Sequence, residues 1–259
     1  MRIYIHTDLE GVTGILRADQ VPSKGEEFGG SCEKLMLDVN AAVAGAFDGG
    51  ATDVTVLDSH GGGGNFLLDR LDERAENDTK PNGRWWGILD EGYDGTLFIG
   101  AHAMAGTINA FLDHTQSSAS WFNYYLNGRR CGELAQWAAV AGHFGVPLLM
   151  VSGDEAACAE ARAFFRPIET AAVKQGLGRN AAIGYPPEEA REGIRQAARR
   201  AMALVGKARP FRPIAPMEVR LEMYRSDMCD EMVEKWPAAE RLDARTIRRV
   251  TADPLDILF

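Results

Sequence analysis

Short apolar runs alternate with longer amphipathic stretches over most of the chain. Arg2–Thr7 alternates and is rich in β-branched and aromatic residues, which predicts a strand. Ser31–Phe47 carries apolar residues at helical spacing (Leu35, Leu37, Val39, Ala42, Val43, Ala46, Phe47) and stops at Gly49-Gly50, so a helix is expected there. Asp53–Leu57 predicts the next strand, completing a βαβ unit with parallel, right-handed pairing. Gly61–Gly64 predicts a loop, and the polar, breaker-rich Asp69–Gly87 a surface excursion. Thr96–Gly100 predicts a third strand. Trp121–Leu126 and Arg129–Cys131 flank Asn127-Gly128, the residues that favour a type I′ hairpin turn.

Leu134–Phe144 predicts a helix, Val146–Val151 a buried strand, Glu155–Phe165 a helix, Thr170–Val173 a short strand, and Pro187–Leu204 a basic amphipathic helix. Three prolines in Lys207–Pro216 mark a boundary. Beyond it Glu218–Tyr224 and Thr246–Thr251 suit strands, and Met228–Glu234 a short helix. The fold class expected is therefore α/β: a mostly parallel sheet with flanking helices, plus a small C-terminal α+β segment. Residues 1–206 would form the catalytic α/β domain. Residues 207–259 are too few for an independent core and should pack on the body or on a neighbouring subunit.

Composition narrows the classes. The chain has 259 residues with 46% hydrophobic content, enough for a real core. A formal net charge of -9 argues against nucleic-acid partners and against anionic membrane surfaces. No apolar stretch is long enough for a membrane span. The opening Met1–Ile5 reads as a strand, not a secretory signal, and the four cysteines show no paired spacing. Together these predict a cytoplasmic protein with reduced thiols.

Candidate chemistry sits where the expected strands end. Asp8 and Glu10 follow the first, Asp58-Ser59-His60 the second, and Ala101-His102 the third. Open α/β sheets bind ligands beyond the carboxyl ends of their strands, so these side chains can converge. Carboxylate oxygens and imidazole nitrogens together suit zinc or a similar first-row metal. Each has a bland reading too: an acidic turn before Gly11, or loop histidines beside glycines. His114 is a loop histidine, a further ligand or a general base. Glu133 either complements a helix N-terminus or supplies a fifth ligand. No Gly-x-Ser-x-Gly elbow, P-loop or dinucleotide fingerprint is present.

These motifs resemble the DppA-type D-aminopeptidases of peptidase family M55. The family's opening Ser-x-Asp-x-Glu-Gly reads His6-Thr7-Asp8-Leu9-Glu10-Gly11 here, with His6 in place of the serine. The likeness continues through Asp58-Ser59-His60, Gly100-Ala101-His102-Ala103, His114, Gly132-Glu133-Leu134, Ala172–Gln175 and Gly178-Arg179, over about residues 1–205. The resemblance implies two zinc ions per chain, held by Asp8, Glu10, His60, His102 and Glu133, with His114 as catalytic nucleophile or base. It implies release of N-terminal D-amino acids from short peptides, and a homo-oligomer, a decamer, whose sites face an inner chamber. Two other readings fit the same residues: a metal-dependent hydrolase of a different amide or a phosphoester, and a non-catalytic binding or assembly protein that keeps the metal.

Overall fold

The structure, a computed structural model, describes residues 1–81 and 83–259. Its elements in chain order are β1 (Arg2–Thr7), α1 (Phe28–Asp48), β2 (Asp53–Asp58), β3 (Ala75–Asn77), β4 (Gly95–Ala101), β5 (Trp121–Leu126), β6 (Arg129–Cys131), α2 (Glu133–His143), β7 (Leu148–Asp154), α3 (Glu155–Phe164), β8 (Glu169–Gly178), β9 (Ala181–Gly184), α4 (Pro187–Ala201), β10 (Met217–Met223), α5 (Ser226–Lys235), β11 (Glu240–Arg241) and β12 (Thr246–Thr251). The larger sheet has seven strands in the order β3-β2-β1-β4-β7-β8-β9. All its pairings are parallel except β8 with β9. This is the α/β architecture that the alternating pattern predicts.

Strand alternation sorts the core onto two faces. Ile3, Ile5, Val54, Val56, Leu97 and Ile99 point to one side, against Leu35, Val39 and Val43 of α1 and Ile194 and Ala198 of α4. Tyr4, Leu57, Phe98 and Val151 point to the other, against Leu134 and Trp137 of α2 and Ala157 and Ala161 of α3. Helices on both faces satisfy strands that are apolar on both sides.

The second sheet is antiparallel, with order β11-β12-β10-β5-β6. The Asn127-Gly128 turn forms as the sequence suggests, with φ of 50° and 76°. The hairpin's outer neighbour is β10, paired through Val219↔Leu126 and Leu221↔Tyr124. Residues on both sides of the expected 206/207 boundary thus build one sheet. Its inner face packs Trp121, Tyr124, Val219, Leu221 and Ile247 against Ala135 and Ala139 of α2. So α2 is covered by both sheets, which explains why nearly all its residues are buried.

Two regions differ from the pattern's expectation. The excursion 69–87 is not only surface. It contributes edge strand β3, and Trp85 and Trp86 pack onto the α2 side of the core. Asp78 ties it down: its carboxylate accepts Tyr4 Oη at 2.5 Å and the amide of Ile88 at 2.7 Å. The short strand expected at Thr170–Val173 extends to Gly178 and turns back as β9. The lysine and glycines of its second half disguise it as a loop. Among the described residues, no helix is long and apolar enough to cross a membrane. All four cysteines are buried and unpaired.

Candidate metal centre and substrate cavity

β1, β2 and β4 are parallel neighbours, so their carboxyl ends share one rim of the sheet. Close backbone contact locks the first and third of these ends together. The Asp8 amide donates to the Ile99 carbonyl at 2.8 Å, and the Gly11 amide to the Gly100 carbonyl at 2.7 Å. A Cβ on Gly11 would lie 2.0 Å from the Ala101 carbonyl oxygen, and one on Gly100 2.1 Å from that of Asp8. Gly100 also has φ of +79°. Only glycine lets the two chains approach this closely.

That contact sets Asp8 between two histidines. His60 Nδ1 lies 2.9 Å from Asp8 Oδ1 and 3.1 Å from Glu10 Oε2. His102 Nε2 lies 3.3 Å from both Asp8 Oδ2 and Glu133 Oε1. The Asp8 carboxylate therefore offers one oxygen to each side. His114 stands slightly farther out, its Nε2 3.8 Å from Glu133 Oε1 and 4.0 Å from Glu10 Oε1. Its ring stacks on that of His102, with centroids 3.9 Å apart. Asp8, Glu10 and His60 form one group able to hold an ion; His102, His114 and Glu133 form another. The five residues expected as ligands and the expected catalytic histidine thus meet at one place.

Neighbouring groups orient the donors. His102 Nδ1 donates to the Ala103 carbonyl at 3.1 Å, and His114 Nδ1 to the Leu112 carbonyl at 2.7 Å. Each ring then turns its Nε2 toward the carboxylates. The Gln116 amide donates to Glu133 Oε1 at 2.7 Å. Asp58 is no donor to this cluster. It accepts the amides of Gly64, Asn65 and Phe66 and the Asn65 side chain, and so shapes the glycine loop that carries His60.

The electrostatics call for positive charge. Burial opposes a charged His60, but Glu10 and Asp8 outweigh it and raise the ring to about 11. Burial opposes charge on His102 too, yet Glu133 and Asp8 push it well above the ordinary histidine value. Burial likewise opposes ionisation of Asp8, while His102 and His60 hold it well below the usual carboxylate range. The donor set fits a metal on a further observation. Glu10 Oε2 and His102 Nε2 are buried and make no hydrogen bond, although such atoms are rarely left without a partner. A metal ion held by this donor set would satisfy both.

Three further residues support the cluster, none of them assigned a role from the sequence. Lys174 on β8 is wholly buried, and its Nζ donates to the carbonyls of Glu10 (2.6 Å), Val12 (2.8 Å) and Ile15 (2.6 Å). Burial pushes its ammonium down to about 7, against the pull of Asp154, Asp38 and Glu10. Glu160 on α3 holds the Met104 amide at 2.8 Å behind His102, and burial raises its carboxyl to about 7. Arg179 lies in the β8–β9 turn beside the His114 loop. The sequence signals the first two ways, as an isolated lysine in the apolar run Ala171–Lys174 and as part of a segment that carries the family resemblance; Arg179 lies in another such segment, and Glu160 has no signal. His6, for its part, is packed on Trp137 (4.0 Å) and Phe98 (4.5 Å), and burial lowers its ring to about 4.

The cluster lines a cavity of about 810 Å³, whose walls include the Gly61–Gly64 loop, Gln116, Ser118, Arg179 and Asn180. Carboxylates and imidazoles gathered in a cleft at the strand ends define the site of a metal-dependent hydrolase class. The M55 family profile, described as D-aminopeptidase, matches residues 1–258, and the chain belongs to this peptidase family. A D-aminopeptidase of Bacillus subtilis (strain 168) is 33% identical over 216 residues, covering 82% of this chain and 78% of the relative. The solved structure of the Zn-dependent D-aminopeptidase DppA from Bacillus subtilis, a self-compartmentalizing protease, superposes with a TM-score of 0.92 at 29% identity. That superposition covers 99% of this chain and 94% of that one.

Proposed function

We propose that this protein is a zinc-dependent aminopeptidase that releases N-terminal D-amino acids from short peptides. The observation that carries the reading is Asp8, whose two oxygens face His60 at 2.9 Å and His102 at 3.3 Å and so join two ligand groups on one cavity wall. In this reading Asp8, Glu10, His60, His102 and Glu133 hold two zinc ions per chain. The mixed oxygen and nitrogen donors suit zinc, and the zinc dependence of the Bacillus subtilis relative supports that choice. When bound, the metal pair polarises the scissile carbonyl.

His114 acts as the proton-transfer group. Its Nδ1–H is held by the Leu112 carbonyl, which leaves Nε2 free as the acceptor. Nε2 takes a proton as a water oxygen bonds to the scissile carbon, and returns it to the amine nitrogen as the C–N bond breaks. His114 lies farther from the carboxylates than His102 does, which favours proton transfer over ligation. The family's description supports D-amino-acid specificity. The volume of the cavity lies in the range that takes small ligands, roughly 300–1,000 Å³, which favours short peptides.

The test compares D-alanyl and L-alanyl p-nitroanilides on zinc-loaded, chelated and zinc-restored protein. Hydrolysis of the D-substrate that is lost with chelator and returns with zinc is expected. A preference for the L-substrate, or activity indifferent to chelation, overturns the reading.

We also propose that the protein works in the cytoplasm as a large homo-oligomer, a decamer, with neither nucleic acid nor membrane as partner. The self-compartmentalizing character of the Bacillus subtilis relative supports assembly. So do the exposed Leu177 and Ile183 on the β8–β9 edge, since such side chains gain from being covered. Light scattering that finds a stable monomer at micromolar concentration refutes the assembly.

A further inference from the structure

An aminopeptidase substrate carries two charges, an ammonium at the end that is cleaved and a carboxylate at the other. The metal centre engages the end that is cleaved. The other end gives up its water on entering the cavity and needs a hydrogen-bonding, cationic partner there. Among the described residues that line the cavity, Arg179 is the only lysine or arginine.

Its setting favours ligand binding over a structural role. One guanidinium nitrogen, Nη1, lies 3.4 Å from Asp113 Oδ1, a long contact for a charged pair. Asp113 is otherwise engaged, accepting the Gly106 amide at 2.6 Å through Oδ2. Arginine has five N–H donors in a flat fork, so most remain for a partner in the cavity. The side chain is 36% exposed, and its neighbour Asn180 lines the same wall. The position of that wall relative to the reacting groups is also fixed. The Leu112 amide donates to the Arg179 carbonyl at 2.7 Å, and the Leu112 carbonyl accepts from His114 Nδ1 at 2.7 Å. Arg179 and the proton-transfer histidine are thus two hydrogen bonds apart through one residue.

We propose that Arg179 binds the C-terminal carboxylate of the peptide substrate and so selects short peptides with a free C-terminus over amides and protected chains. The inference rests on the aminopeptidase reading of the same cavity. Arg179 would be a specificity residue, acting on binding of the substrate and not on the bond that breaks.

The test uses the zinc-loaded protein and two matched substrates, D-alanyl-glycine and D-alanyl-glycinamide. Wild-type protein should favour the free acid by roughly 10- to 100-fold in kcat/KM, the scale of one charge-assisted fork. Arg179→Gln should raise KM for the acid by about that factor, leave kcat within a few-fold, and leave the amide unchanged. Arg179→Lys should restore part of the preference, because it keeps the charge and loses the fork. Asp113→Asn separates a structural role from a binding one. It should keep the preference for the acid if Arg179 binds substrate directly. An equal loss on both substrates in Arg179→Gln, or an effect on kcat alone, overturns the proposal. Equilibrium dialysis of D-alanyl-glycine against His114→Ala, with and without Arg179→Gln, decides the same question without turnover. If wild-type protein cleaves neither substrate, the aminopeptidase reading fails, and the dialysis still tests Arg179: tenfold weaker binding supports its role and equal binding refutes it.

Discussion

Asp8→Asn is the sharpest probe of the metal centre, because the change keeps the shape of the side chain and removes its charge. Both oxygens of Asp8 face imidazoles, at 2.9 Å for His60 and 3.3 Å for His102, so a single substitution reaches both halves of the cluster. A pair of unit charges 4 Å apart is worth about 4 kcal/mol at an effective dielectric of 20. A dication doubles the Coulomb energy, and water entering the site returns part of it. A loss of about 4 kcal/mol per metal is a conservative figure, or roughly a thousandfold in affinity. Glu133, by contrast, faces His102 and His114 and not His60, so Glu133→Gln should weaken one ion more than the other. The assay is competition for zinc with a chromophoric chelator, read alongside elemental analysis of the dialysed protein. Wild-type protein should retain two zinc ions per chain. Asp8→Asn should lose both together, and Glu133→Gln should lose them in two separated steps. Two ions held with wild-type affinity by Asp8→Asn would refute the shared-carboxylate geometry.

Three further outcomes are expected. His114→Ala should keep its zinc and lose about a hundredfold or more in turnover, the scale of a positioned acid–base group; loss of zinc in this variant would make the residue a ligand, and wild-type turnover would remove it from the chemistry. Lys174→Met leaves the carbonyls of Glu10, Val12 and Ile15 without their donor, and each buried acceptor so abandoned costs about 1–3 kcal/mol. Denaturant unfolding should show a loss of several kcal/mol, and an unchanged midpoint would mean that the ammonium is not what fixes the loop. Glu160 has its carboxyl raised from 4.5 to about 7 in the folded chain, so the folded state holds a proton that the unfolded state gives up. Its contribution, roughly 3 kcal/mol at 1.36 kcal/mol per pH unit, is present below pH 4.5 and is lost as pH rises through 7. Glu160→Gln should therefore be more stable than wild type at pH 8 and converge with it on going down to pH 5; a gap that does not change with pH would contradict this.

The strand ends were legible because a parallel sheet puts every carboxyl end on one rim, so Asp8, Glu10, His60 and His102 could be grouped from position alone. Glu133 and His114 were not legible in that way. Their place depends on the loop before β5 and on the β5–β6 hairpin, and no local periodicity reports where those return to the sheet. The family resemblance supplied them. β3 escaped because a three-residue edge strand carries too little pattern, and the second half of β8 because a buried lysine reads as polar. The pairing of β5 with β10 joins residues separated by about ninety positions, with nothing local to announce it. The starts at Glu155 and Pro187 match, and the other helix ends differ by one to three residues. α1 starts at Phe28 because Gly29 and Gly30 face open space in its first turn, where glycine does little harm.

The tie from Lys174 to Glu10 spans 164 residues of chain. A nascent chain that has emerged only through β7 already carries Asp8, Glu10, His60, His102, His114 and Glu133. It lacks the ammonium that holds the loop after β1 in place. Contacts so distant in sequence form late, since the intervening chain must first be ordered. Until β8 pairs with β7, the carbonyls of Glu10, Val12 and Ile15 lack the donor that Lys174 gives them, so the site is completed by a segment made after all six of its side chains.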